Sequence, residues 1–129
     1  MTAKDIMTRD VVTVSPTLAV KDLAKVLLKN RISGAPVVDK KGKIIGVVSE
    51  ADILAKKGKQ VKDIMSRKVI AVEEEMPVEE IASQMTHHGI SRVPVMRAGE
   101  LAGIVSRADI ISAIAMGKHI ALHTPVYDL

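Results

Sequence analysis

GVVSEAD at residues 46–52 returns as GIVSRAD at residues 103–109, with glycine, serine and aspartate at matched positions. Outward from this pair the likeness continues. KDIMTRDVVTV at 4–14 returns as KDIMSRKVIAV at 62–72, and RISGAPVV at 31–38 returns as GISRVPVM at 89–96, both 58 positions later. One residue is then lost in a turn, so that GKIIGVVSEADIL at 42–54 matches GELAGIVSRADII at 99–111 at an offset of 57. The chain is one unit written twice, and a repeat of this length constrains the fold before any single motif does.

Each copy opens on a β-branched stretch, VVTV at 11–14 and VIAV at 69–72. Apolar residues then fall at Val20, Leu23, Ala24 and Leu27, and again at Val78, Ile81, Ala82 and Met85. That spacing is one face of a helix. Two short strands follow, APVVD and KIIGVVS around the turn KKGK, or VPVMR and LAGIVS around AGE. A last helix starts at SEAD or SRAD. The expected order is β-α-β-β-α twice, an α/β (α+β) fold with repeat 1 at 1–58, repeat 2 at 59–117 and a tail at 118–129. AKKGKQ at 55–60 reads as the linker, and the tail as a strand, a swapped element or a frayed end. A unit of fewer than 60 residues buries its core poorly alone, so the copies are expected to depend on each other.

Composition bounds the function. The 129 residues are 47% hydrophobic and 26% charged, within the ordinary globular range. No apolar run reaches the roughly 20 residues of a membrane span, and the charged start MTAKDIMTRD is unlike a secretory leader. The reading is a cytoplasmic protein without a membrane segment. The absence of cysteine excludes disulfides, thiolate zinc sites and cysteine nucleophiles. A net charge of +4 and a pI near 9.4 favour anionic partners mildly. Tyr127 is the only aromatic residue, which argues against stacking on single-stranded nucleic acid.

Local chemistry admits two readings. Ser49 and Asp52, like Ser106 and Asp109, have the spacing of a capping box, in which hydroxyl and carboxylate satisfy the free amides of a helix start. The same amides attract phosphate, and a carboxylate accepts from two ribose hydroxyls. Gly46 and Gly103 mark either a bulge or the close approach of a backbone or ligand. His87 and His88 read as the end of a helix, with side chains on different faces, and a metal site made with His119 and His123 is not expected. EEE at 73–75 suits the dipole of the helix it precedes. There is no P-loop, no G-x-G-x-x-G, no G-x-S-x-G and no other catalytic constellation, so an enzyme is not expected.

Three motifs, each present twice and in order, carry a resemblance: DIM at 5–7 and 63–65, I-S-x-x-P-V at 32–37 and 90–95, and G-x-V-S-x-x-D at 46–52 and 103–109. Over residues 4–117 the chain resembles a tandem pair of CBS domains, the Bateman module named after cystathionine β-synthase. The resemblance implies two repeats packed through their sheets with pseudo-twofold symmetry, and two clefts that take AMP, ADP, ATP or S-adenosylmethionine as a regulatory ligand, with no cofactor required. It places Met7, Val12, Ile32, Ser33, Gly34 and Ala35 in one cleft, completed by Ser106 and Asp109. Met65, Ile70, Ile90, Ser91, Arg92 and Val93 fall in the other, completed by Ser49 and Asp52. For Met7, Met65, Ile32 and Ile90 the alternative is plain core packing. Arg92 matches a phosphate-contacting position, with Lys62 and its counterpart Lys4 as added charge, and Arg107 gives the first cleft a weaker cation.

The function so implied is a stand-alone regulatory module that senses an adenosine derivative and signals through an effector protein, as a homodimer. The homodimer rests on Ile110, Ile111, Ile114 and Met116, which give the last helix apolar surface on more than one side. Two rivals stand beside it: a structural dimerisation module with empty clefts, and a regulator that binds nucleic acid.

Overall fold

The computed structural model describes residues 1–117. Expectations for the tail, including Tyr127, His119 and His123, lie outside the described residues. The chain forms two compact units whose boundaries are not those of the repeats. One is continuous, residues 11–69; the other is split, residues 1–10 together with the described residues 70–117. Each opening KDIM segment therefore belongs to the unit built mainly from the other repeat.

In the continuous unit, helix α2 (Val20–Asn30) precedes strands β1 (Gly34–Val38) and β2 (Ile44–Ser49), helix α3 (Glu50–Ala55) and the single turn α4 (Val61–Ile64). β1 and β2 pair antiparallel, from Gly34 opposite Ser49 to Val38 opposite Ile44, with a bulge between Val37 and Val38. The split unit repeats this with α1 (Ala3–Ile6), β3 (Val72–Glu73), α5 (Val78–His88), β4 (Arg92–Arg97), β5 (Glu100–Ser106) and α6 (Arg107–Ala115), its strands in the order β3-β4-β5. The expected helical faces are the ones buried: Leu23 and Leu27 in α2, and Val78, Ile81 and Met85 in α5. Both helices end in a left-handed residue, Arg31 at φ 53° and Gly89 at φ 63°. Only the second copy uses the residue type that adopts this conformation without strain.

The opening strands are shorter than the sequence predicts. In VVTV only Val14 pairs, through one parallel bridge to Val37, and in VIAV the ladder is limited to Val72 and Glu73 beside Val95 and Met96. The difference between copies has a covalent cause. Glu74 extends its ladder by donating its N–H to the Met96 carbonyl at 3.1 Å, whereas the matching residue in the first copy is Pro16, which has no N–H to give.

The KDIM segments are one-turn helices, α1 and α4, a feature the hydrophobic pattern does not announce. Asp5 accepts from the Thr2 N–H at 2.8 Å and Asp63 from the Gln60 N–H at 2.9 Å, so the aspartate of each DIM caps its own helix. α1 is tied to the second repeat by Ala3 N–H to Met76 carbonyl at 2.9 Å and Thr8 N–H to Ile104 carbonyl at 2.8 Å. α4 is tied to the first by Val61 N–H to Leu18 carbonyl at 2.8 Å and Ser66 N–H to Val47 carbonyl at 2.9 Å. The cores follow the same division. Val61, Ile64 and Met65 complete the cluster of Val14, Leu23, Leu27, Ala35, Val37 and Val48, and Ala3 and Met7 complete the cluster around Ile81, Val93, Val95 and Val105.

These caps predict an acid-dependent stability. The backbone N–H donated by Thr2 holds the Asp5 carboxyl below its ordinary value of 3.8, and that of Gln60 does the same for Asp63. A carboxyl that is more acidic when folded contributes stability that is complete above its unfolded pKa and lost as pH falls through the folded one. The double variant Asp5→Asn, Asp63→Asn is therefore expected to melt below the wild type at pH 7, and the gap to close as pH drops below the carboxylate range. Circular-dichroism melts across that range check it; a gap independent of pH would remove the charge from the explanation.

Candidate functional site

Each unit ends its hairpin on a serine that starts a helix, because the strand runs directly into the S-x-x-D segment. Ser106 and Asp109 form the reciprocal cap in full: Ser106 N–H donates to Asp109 Oδ2 at 2.7 Å, and Asp109 N–H donates to Ser106 Oγ at 3.2 Å. At α3 the Ser49 N–H and hydroxyl donate to Asp52 Oδ2 at 2.9 and 3.3 Å. Both aspartates are helix caps, and in each the cap engages Oδ2 and leaves Oδ1 outside it.

The I-S segments lie against these helix starts within the same unit. Gly34 pairs with Ser49 and Arg92 with Ser106, while Glu50 N–H donates to the Ser33 carbonyl and Arg107 N–H to the Ser91 carbonyl, each at 2.8 Å. Of the residues assigned to the first cleft, Met7, Ser106, Arg107 and Asp109 are in the split unit, and Val12, Ile32, Ser33, Gly34 and Ala35 are in the continuous one. Of the second group, Ile70, Ile90, Ser91, Arg92 and Val93 are in the split unit, and Ser49, Asp52, Lys62 and Met65 are in the continuous one. Ala35, Val93, Met7 and Met65 are buried members of their own unit's core, and Ile32 and Ile90 pack partly buried against those cores.

Met7 and Met65 explain the paired glycines. A Cβ on Gly103 would stand 2.6 Å from Met7 Sδ and 2.9 Å from the Thr8 carbonyl oxygen. On Gly46 it would stand 2.9 Å from Met65 Sδ and 2.8 Å from the Ser66 carbonyl oxygen. Both glycines also sit beside the bulge of their hairpin. The two readings of these residues hold together: a bulge, and a backbone approach by the chain's own DIM segment.

The cations differ between copies. Lys4 is held 2.6 Å from Glu75 Oε1, and that contact raises its pKa above the ordinary 10.5. Glu75 thus has a partner in addition to its place before α5. Lys62, the counterpart of Lys4, forms no ion pair among the described residues, because the position matching Glu75 is Thr17. Lys56, which the sequence reading left in the linker, binds Asp52 Oδ1 at 2.9 Å and donates to the Ile64 carbonyl at 3.1 Å. The Asp-to-Lys spacing of four along a helix is the signal that would have found it. His87 and His88 close α5 as expected, but their rings meet edge to face with centroids 4.8 Å apart rather than standing apart on different faces. Among the described residues no group of three His, Cys, Asp or Glu could hold a metal, and no helix is long and apolar enough to cross a membrane.

The comparisons with known proteins agree with this fold. The CBS domain family model matches residues 3–58 and again 61–116. L-aspartate semialdehyde sulfurtransferase of Methanocaldococcus jannaschii is 36% identical over 119 residues, which are 89% of this chain and 23% of that enzyme; the chain thus spans about a quarter of that relative. A crystal structure of the CBS domain pair of protein MJ0100, in complex with 5′-methylthioadenosine and S-adenosyl-L-methionine, superposes with a TM-score of 0.85 at 34% identity, covering 92% of this chain and 98% of that one. A crystal structure of CBSX2 in complex with AMP superposes with a TM-score of 0.86 at 29% identity and the same coverage.

Proposed function

Because the chain belongs to the CBS domain family, as a tandem pair, we propose that it is a regulatory module that binds an adenosine derivative and passes its occupancy to an effector protein in the cytoplasm. The observation that carries the reading is that two structural relatives, each matched along 98% of its length, hold adenosine-containing ligands. The chain's own residues supply the matching chemistry. Asp52 and Asp109 are the ribose acceptors, each with an oxygen outside its cap. The I-S segments present backbone groups to the adenine edge, residues 32–33 with Asp109 and residues 90–91 with Asp52, and Val12, Ile32, Ile70 and Ile90 are the apolar cover. Arg92, Lys62 and Arg107 attract phosphate, Arg92 through its planar fork. The module acts as a homodimer, supported by the exposure of Ile111 and Ile114 on α6 and of Met116 at its C-cap, at 58, 38 and 74%, whereas Ile110 is buried in the core of its own unit. Binding switches the effector only as far as the ligand prefers one of two arrangements.

Mass spectrometry of small molecules released from the purified protein, followed by calorimetric titration with AMP, ATP and S-adenosylmethionine, tests the class of ligand. Asp109→Asn separates the cap from the ligand contact, since the amide oxygen still accepts from Ser106 N–H but carries no charge. It is expected to melt near the wild type and to bind adenosine ligands at its site at least about tenfold more weakly, from a loss of roughly 1.5–3 kcal/mol in charged hydrogen bonds. Unchanged affinity with lowered melting would leave the aspartate as a cap alone.

A further inference from the structure

The two S-x-x-D carboxylates are chemically unequal, for a reason outside the motif. Asp52 Oδ1 is bound by Lys56 at 2.9 Å, and the same ammonium is steadied by the Ile64 carbonyl at the end of α4 at 3.1 Å. The Asp52 side chain is 18% exposed and that of Lys56 is 46% exposed. In the other copy the position of Lys56 is Ala113, buried in the split unit at 6% exposure. Asp109 Oδ1 accordingly has no ion pair or hydrogen bond among the described residues.

We propose that Lys56 is a specificity-determining residue that makes the Asp52 site the weaker of two adenosine-binding sites, by competing with the ribose hydroxyls for the outer carboxylate oxygen. The proposal rests on the reading of both aspartates as ribose acceptors. A hydroxyl that donates to Asp109 meets an unshared oxygen; one that donates to Asp52 must share or displace an ammonium already held at two acceptors. The pair is partly exposed, so the penalty is modest, about two- to fivefold in affinity, the range of a solvent-accessible ion pair. For a ligand without phosphate, where Arg92 and Lys62 add nothing, the first site to fill is therefore the one that contains Asp109.

Adenosine, which has the ribose diol and no phosphate, is the probe, titrated calorimetrically into the full chain. The Asp109→Asn variant reports the Asp52 site and Asp52→Asn the Asp109 site, and the first is expected to be about two- to fivefold weaker. Adding Lys56→Met to Asp109→Asn should recover that factor, while Lys56→Arg, which keeps a cation in place, should not. In the otherwise wild-type chain Lys56→Met should draw two classes of site toward one. Adenosine binding that is equal at the two sites, or that Lys56→Met leaves unchanged or weakens, overturns the role of Lys56 and leaves the ligand class standing. A wild-type chain that binds none of adenosine, AMP, ATP and S-adenosylmethionine overturns the ligand class itself.

Discussion

A polypeptide of residues 1–58, one complete repeat, is expected not to fold, whereas residues 11–69, of almost equal length, are expected to keep helical circular dichroism and a cooperative melt below that of the full chain. The first fragment lacks Val61, Ile64 and Met65, which are 0, 1 and 8% exposed in the continuous unit. Burying such side chains contributes about 1.5–3 kcal/mol each, so their loss approaches the whole 5–15 kcal/mol by which a native domain is stable. It also lacks the backbone bonds that α4 makes to Pro16 and Leu18. Residues 1–10, which it carries instead, supply no member of that core. The second fragment holds every member of the cluster, with the partly buried Leu18, Val20, Val26, Ile32, Ile45 and Ile53 around it. Its small size makes it marginal rather than unfolded. Cooperative melting of both fragments at the same temperature would show that the repeat, and not the compact unit, is what folds.

Gly103→Ala and Gly46→Ala are expected to be strongly destabilising single methyl additions, because each new Cβ would meet backbone as well as side chain. Overpacking a closed interior costs about 1–3 kcal/mol, and these sites fall at the upper end because one of the three nearest atoms is a backbone carbonyl oxygen. The Thr8 carbonyl that would meet the new Cβ accepts from Ile104 N–H at 3.0 Å while Thr8 N–H donates to the Ile104 carbonyl at 2.8 Å. Ser66 and Val47 exchange the same two bonds beside Gly46, both at 2.9 Å. A methionine can swing aside; a doubly bridged carbonyl cannot move without breaking its pair. Trimming the sulfur in Gly103→Ala, Met7→Ala should therefore restore less than half of the loss, and thermal melts should fall by on the order of 4 °C per kcal/mol. Melting of Gly103→Ala within about a degree of the wild type would refute the close approach.

The sequence by itself determined the repeated order of helix, hairpin and helix, the buried faces of α2 and α5, and the caps at Ser49 and Ser106. Each of these follows from spacing within a dozen residues: apolar positions three and four apart, alternating strands around a turn, a hydroxyl three residues before a carboxylate. The ribose role of Asp52 and Asp109 rests instead on the family resemblance that the doubled motifs carry, since their spacing by itself favours a cap. Strand length was legible only in part, since the missing N–H of Pro16 limits a ladder whose partner lies more than twenty residues away. Lys56 escaped because AKKGKQ reads as a linker, whereas its ion pair needs the helix to carry it to within one turn of Asp52. What only the tertiary structure decided is which unit each KDIM segment joins. Met7 and Met65 carry the same motif, and Gly46 and Gly103 offer the same methyl-free surface, so the local sequence suits either pairing equally. The fold seats Met7 on Gly103 and Met65 on Gly46. Duplicated motifs carry duplicated contact preferences, and only the path of the whole chain distinguishes between them.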